Sequence, residues 1–256
     1  MLSQCTFVMS RWTSRLPPFV RRAVQVDQME MDSALAQMYS LCVKPSLVSK
    51  MSRARRMTKG HYYRDDPAFL MLQLLFIVVA SIARWLLLDL TRSLVRTLFV
   101  AVAWYVLGGL GMACVWRAVA VIYLSSCSTS TQGGVSTGTT SAFGVDSVVD
   151  YLRSDLDWRY AFDVHCNGYF TFFMWTEVIA YFLAPLMHMS WVSNAIVSIG
   201  VTTYLYNVFL GYLEIPTLAY QQRLLYPVPI VGLLFFLLSI SDVNVGLLLW
   251  LLQCST

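Results

Sequence analysis

Two carboxylates stand side by side at the start of a long apolar run, where they could do acid–base chemistry or bind a cation. Asp65 and Asp66 directly precede Pro67, and Arg64 lies beside both of them. Proline is favoured at the first position of a helix, and the Asp66 carboxylate can then accept hydrogen bonds from unpaired backbone N–H groups. Asp65 would lie against the positive end of the helix dipole. We therefore predict a helix cap at the membrane interface rather than a catalytic pair.

A second polar group of residues lies in the segment DLDWRYAFDVHCNGYF (155–170). In an extended chain Asp163, His165 and Asn167 would face one way and could bind a cation. In a helix, Arg159 would align with Asp163 and Asn167 instead. The chain has three histidines and no HExxH motif, so the sequence predicts no cofactor. A metal-dependent membrane enzyme using Asp163 and His165 stays an alternative. The favoured interpretation is a polar juxtamembrane cluster, made by Trp158, Arg159, Asp163, His165 and Asn167.

Glu177 is the third candidate, because it falls near the middle of a predicted membrane span. An ionisable residue inside a bilayer is costly to bury in its charged form and is therefore a functional hypothesis. We expect Glu177 to be protonated and to join two helices by hydrogen bonds. A small transporter that uses Glu177 is the alternative. The expected partners of Glu177 are polar residues of the next span, Asn194, Ser198 and Thr202.

The elements that carry these residues are membrane helices. The chain is 57% hydrophobic and 12% charged, whereas soluble domains are about 25% charged. The fold class is therefore all-α, a multi-pass transmembrane bundle preceded by an amphipathic helix. A turn at 241–244 ends the last span, because Asp242 at the bilayer centre would cost about 2.5–3.5 kcal/mol. Five spans of suitable length are predicted, at 68–88, 98–117, 168–187, 191–212 and 224–240.

The distribution of positive charge predicts the orientation. Of the 18 Lys and Arg residues, 11 precede residue 68. Positive residues favour the cytosolic side, so the N-terminus is expected there, and an odd number of spans then places the C-terminus in the lumen. We expect Arg84, next to Trp85, to extend from the end of its span toward the interface.

Residues 27–44 predict an amphipathic helix that stops at Pro45. Met31, Leu35, Met38 and Cys42 form its apolar stripe, which suits contact with lipid, with a partner or with the protein's own bundle. Anionic lipids would be attracted to the basic residues that follow, among them Arg53, Arg55 and Arg56. The predicted segments are a basic tail (1–26), this helix and basic segment (27–67), a transmembrane hairpin (68–117), a linker with the juxtamembrane cluster (118–167), three spans (168–244) and an apolar luminal tail (245–256).

Several stretches resemble the uncoordinated-fifty family of multi-pass Golgi membrane proteins. They are QMEMDSALAQMY (28–39), RDDPAFL (64–70), DWRYAFDVHCN (157–167), FLGYLEIP (209–216) and LLYP (224–227). The shared framework comprises Asp65, Asp66, Pro67, Trp158, Asp163, His165 and Asn167.

The resemblance implies five spans, a cytosolic N-terminus and residence in Golgi and early secretory membranes. It also implies a non-enzymatic role in vesicle trafficking, through recruitment of a large Arf guanine-nucleotide exchange factor or through surface delivery of membrane cargo. RNA binding has been proposed within the family, but the basic run 50–64 is not an RNA module, and RNA is not an expected partner. The Arg-rich, acid-free tail 1–26 leaves a mitochondrial membrane as the alternative location.

Overall fold

The computed structural model describes residue 23 and residues 29–88, 93–124, 156–216 and 218–255. Within these ranges the chain is a helical bundle, which confirms the predicted fold class. The predicted tail 1–26, apart from residue 23, and the Ser/Thr/Gly-rich linker 125–144 lie outside the described residues.

In the described residues, eight α-helices of more than ten residues form the bundle. They are α1 (Met31–Val43), α2 (Pro45–Lys59), α3 (Ala68–Leu88), α4 (Leu94–Val119), α5 (Trp158–Phe173), α6 (Ser190–Leu213), α7 (Pro227–Ile240) and α8 (Val245–Ser255). Helix α4 ends in a π-helical turn, Ala120–Leu124, and α5 continues through a π-helical segment, Met174–Ile179, into Ala180–Phe182. Short 3₁₀ helices cover Ala184–Leu186 and Gln221–Leu225.

Four helices in the described part of the chain are long and apolar enough to cross a membrane: Ala68–Leu87, Leu94–Leu124, Ser190–Leu213 and Gln221–Ile240. The span predicted at 168–187 is not among them, although its residues are largely helical. That segment carries Thr171, Thr176 and Glu177, whose polar side chains lower its hydropathy. The count of five spans therefore stays a prediction.

Helix α6 lies at the centre, packed against α5, α7 and α8. Two glycines let α5 and α6 approach closely. A Cβ atom on Gly168 would lie 2.8 Å from the Tyr204 ring, and one on Gly211 would lie 2.8 Å from Val164. A third glycine, Gly109 of α4, lies against the His165 ring of α5.

The first predicted helix begins at Met31 rather than at residue 27, and Pro45 starts a second helix, α2, directly after it. The predicted apolar stripe is divided between two faces of this helix: Met38 is buried, whereas Leu35 and Cys42 are exposed. The residues that face the bundle are Ala34, Met38 and Leu41. The rotation is fixed by polar bonds on the neighbouring side of α1, from the Glu30 N–H to Asp66 and from Arg64 to Gln37.

The predicted turn at 241–244 is confirmed. Helix α7 ends at Ile240, Asp242 takes a positive φ of 53°, and α8 begins at Val245. The segment after the turn, predicted as an apolar luminal tail, folds back as α8. Its Trp250 is buried and donates a hydrogen bond of 3.0 Å from Nε1 to the Thr176 carbonyl.

Candidate functional site: a helical platform and two arginine–carboxylate pairs

Helices α1 and α2 with the loop to residue 67 form a compact unit at one end of the bundle, which we call the platform (residues 31–67). Its inner surface packs against the first residues of α3 and the middle of α5. The buried side chains of this contact are Ala34, Met38, Leu41, Val48, Phe69, Leu72, Cys166 and Phe170. At its far edge, Glu214 after α6 lies 3.8 Å from Arg53 and accepts a 3.4 Å hydrogen bond from Ser49.

Asp66 is the helix cap that the sequence predicted, and it serves two helices. Its Oδ1 accepts a 3.2 Å hydrogen bond from the Ala68 N–H at the start of α3. Its Oδ2 accepts a 2.7 Å hydrogen bond from the Glu30 N–H, which precedes α1. Pro67 is fully buried beside it, and its carbonyl accepts the first helical bond from Met71. The bond to Glu30 joins residues 36 positions apart, so no local sequence pattern could predict it.

Asp65 pairs with side chains of the preceding turn. Its carboxylate lies 2.8 Å from the Lys59 Nζ and 3.4 Å from the His61 Nε2, so it ties the end of α2 to the following loop. Gly60 makes this turn with a φ of +80°, a backbone conformation that L-residues with a side chain rarely adopt.

Arg64, next to the two aspartates in the sequence, reaches α5. Its guanidinium donates to the Asp163 carboxylate, to Asn167 Oδ1 at 2.7 Å and to Gln37 Oε1 at 2.8 Å. The same group lies 4.1 Å from the centroid of the Phe69 ring. Arg64 therefore joins α1, α3 and α5.

Asp163 and Asn167 share a face because the segment is helical from Trp158 onward. The second Asp163 oxygen lies 3.6 Å from Arg55 Nη2. Burial lowers the pKa of Arg55 from its ordinary value, and the Asp163 charge opposes that shift. Arg159 projects elsewhere, 5.3 Å from the Tyr63 ring centroid. Trp158 is about half exposed.

His165 lies on another side of α5, so the interpretation of a joint cation site with Asp163 is wrong. Its Nδ1 is 3.0 Å from the Tyr204 hydroxyl, which also accepts a hydrogen bond from Trp116 Nε1. Within the described ranges, no three His, Cys, Asp or Glu side chains come close enough to hold a metal ion.

Glu177 pairs with Arg84 of α3, with 2.8 Å between its Oε1 and Arg84 Nη1. The two side chains are 11% and 4% exposed, so Arg84 points into the bundle instead of toward the interface. The polar residues expected to bind Glu177 act elsewhere. Asn194 holds the turn before α8 through the Val243 carbonyl and the Val245 N–H, at 2.8 and 2.9 Å. The Ser198 carbonyl accepts a bond from Thr202 within α6.

The outer surface of the platform carries an apolar row that sequence reasoning missed. Its side chains are spaced four residues apart and are 42–71% exposed; we call them the outer stripe, Leu35, Tyr39, Val43 and Leu47. These residues follow an i, i+4, i+8, i+12 spacing in the sequence, but the prediction was based on the methionine-containing pattern beside it. Of the residues predicted to contact a partner, Met38 is buried, Met31 is half-buried and Leu35 is exposed.

These features define a class: a multi-pass helical membrane protein whose N-terminal helices form a folded platform on one end of the bundle. A family model described as the UNC-50 family matches residues 19–253. The chain is 31% identical over 243 residues to the "Protein unc-50 homolog" of Dictyostelium discoideum, covering 91% of this chain and 84% of that protein.

It is also 30% identical over 240 residues to the homologue of Drosophila melanogaster, covering 91% and 79%. Identity to "Protein unc-50" of Caenorhabditis elegans is 30% over 232 residues, covering 87% and 68%. No solved structure matches the chain. The chain belongs to the UNC-50 family, which supports a non-enzymatic membrane protein of the trafficking type.

Proposed function

We propose that this protein is a non-enzymatic Golgi membrane protein that supports vesicle-mediated transport by recruiting a cytosolic Arf guanine-nucleotide exchange factor to its platform. Family membership supports the trafficking role, and the outer stripe is the observation that carries the recruitment. Escort of membrane cargo is the second candidate, because α7 has no buried residue and offers a long apolar side to another membrane helix.

The outer stripe lies mainly on a helix that the bundle holds in place, and an exposed basic residue lies on the helix that follows. Helix α1 is already held by the bundle, so a partner that covers Leu35, Tyr39 and Val43 orders little additional chain. An apolar helix face is a common docking surface for a groove of complementary shape. The exposed Arg53 lies on the next helix and can add attraction to anionic lipid, at about 1 kcal/mol per basic residue near a membrane surface.

The crevice between α1, α2 and the start of α3 supports a protein partner rather than a purely anionic ligand. Its volume is about 540 Å³. Cations and carboxylates both line it, so its charge is mixed; they include Arg55, Lys59, Arg64, Glu30, Asp65 and Asp66. A protein segment that carries both signs would match this lining, whereas a phosphate group would meet the carboxylates.

The test is the Golgi-bound fraction of the exchange factor in cells that carry variants of the stripe. Changing Leu35, Tyr39 and Val43 to Ser should lower this fraction several-fold while the protein stays abundant. The matched control is Ala36→Ser with Asp32→Asn, two exposed positions of the same helix outside the stripe, which should leave it unchanged. An unchanged fraction in the triple variant would exclude the stripe as the docking surface.

The proposed orientation has its own test. A glycosylation acceptor appended after Thr256 should be modified in the lumen, and one inserted within 125–144 should not, because the platform end carries the positive charge. The reverse pattern would place the platform in the lumen, where no cytosolic factor could reach it. A tagged copy found in mitochondria would contradict the Golgi assignment.

A further inference from the structure

A crevice of about 340 Å³ lies between α3 and the end of α5. Phe76, Ala80 and Ala83 of α3 form one wall, and Phe173 and Tyr181 form the other. Trp250 of α8 also lines it. Arg84 and Glu177 contribute to the lining, but its surface is almost entirely apolar.

The mouth of the crevice opens to the side of the bundle. Val79 and Phe182, which belong to its lining, are 56% and 77% exposed. Because α3 is long and apolar enough to cross a membrane, the medium at this mouth is hydrocarbon rather than water. Eight residues separate Phe76 from Arg84, so the crevice follows α3 for about 12 Å.

Part of the backbone beside the crevice is π-helical rather than α-helical. Met174, Glu177 and Val178 line the crevice from the π-helical segment Met174–Ile179. Single π-helical turns inside α-helices are frequent at functional sites. The Trp250 indole is fixed by its hydrogen bond to Thr176 in the same segment, so this part of the lining is held in place.

We propose that this crevice binds the acyl chain of a membrane lipid as a resident ligand. Its lining is almost entirely apolar, which suits a hydrocarbon chain and not a headgroup. The volume is at the lower end of the range of about 300–1,000 Å³ for small-molecule pockets, so it holds at most one chain rather than a whole bilayer lipid. An empty crevice would forfeit the dispersion contacts of its lining.

The experiment uses the full chain, purified in mild detergent and examined by native mass spectrometry after extensive washing. We expect one lipid to be retained per protein. Ala80→Trp, which fills the crevice, should lower the retained fraction at least fivefold. Ala118→Trp, at an exposed position of α4, is the matched control and should retain the lipid. If Ala80→Trp does not fold, Ala83→Leu takes its place.

Two photoreactive probes identify the source of the chain: a phosphatidylcholine and a palmitic acid, each with a diazirine on the chain. Both carry the acyl chain that the crevice should bind, and crosslinks on Phe76, Phe173 or Trp250 from either probe support the proposal. The probe that displaces the retained lipid shows whether that lipid is a phospholipid or a free fatty acid. Crosslinks no denser in the crevice than on α7, which faces the surrounding lipid, would overturn the proposal, as would full lipid retention in the filled variant.

Discussion

Helix α3 is joined to α5 by two arginine–carboxylate pairs, one at each of its ends, and their surroundings differ. Arg64 lies in a polar network at the platform, where it donates to Asp163, Asn167 and Gln37. Arg84 meets Glu177 in a crevice lined almost entirely by apolar side chains. The same kind of ion pair therefore has two structural roles. At the platform it joins several elements through a polar network. At the crevice it joins two helices beside an apolar space.

The largest effect should follow from removing Arg64. Arg64→Leu leaves the buried Asp163 carboxylate without its main partner and Asn167 without its donor, which should cost about 3–5 kcal/mol of the free energy of unfolding. Unfolding in mixed micelles measures it. Arg53→Leu is the matched control, since the Arg53 side chain is 68% exposed and its ion pair should contribute less than about 1 kcal/mol. Equal stability of the two variants would show that the network is not structural.

A smaller loss is expected from Glu177→Gln. The amide can still accept a hydrogen bond from Arg84, but the buried guanidinium loses its counter-charge, at a cost of about 2 kcal/mol. The same micelle titration gives the value. Thr202→Val serves as a control for a polar change in the neighbouring span, because Thr202 bonds only within α6 among its described contacts. A Glu177→Gln protein as stable as the original chain would mean that Glu177 is not charged there.

Paired substitutions sharpen the comparison. Arg84→Met with Glu177→Leu should recover stability to within about 1 kcal/mol of the original chain, because apolar residues can replace a buried ion pair. Arg64→Met with Asp163→Leu should not recover, since Gln37, Asn167 and Arg55 would keep polar groups without those partners. If both double variants regained the stability of the original chain, the two ion pairs would not differ in their dependence on surrounding polar groups.

The smallest effect concerns the cap beside Arg64. Asp66 holds two backbone N–H groups through two oxygens, whereas asparagine keeps one acceptor oxygen. Asp66→Asn should therefore cost about 1 kcal/mol and Asp66→Leu about 2 kcal/mol. Thermal unfolding in detergent resolves the order. An equal loss for Asn and Leu would show that the negative charge, and not the hydrogen bonding, is what this position supplies.

The sequence predicted the features that depend on near neighbours. The cap at Asp66, the break at Pro45 and the turn at 241–244 are each set by a few adjacent residues, and each is present. Which side of α1 faces the bundle was left open by the sequence, because it depends on bonds to Asp66 and Arg64 across the loop rather than on its own periodicity.

The partners of the charged residues could not be read from local patterns. Arg64 meets Asp163 across 99 positions, and Arg84 meets Glu177 across 93. Nothing in the spacing of one helix identifies such a partner, since the pairing is decided by which helix lies alongside. Asn194, which was expected to bind Glu177, for this reason bonds instead to the Val243 carbonyl.

The contacts of the platform have a consequence for the order of events during synthesis. Helices α1 and α2 leave the ribosome first, yet their inner surface is covered by Cys166 and Phe170, and their edge is tied to Glu214. Until α5 has been made, Met38 and Leu41 lack the Cys166 and Phe170 side chains that complete their cluster. A nascent or truncated protein would therefore present a loose platform to chaperones and degradation factors. Only a completed bundle would present the finished surface, so platform formation would report that membrane insertion has succeeded.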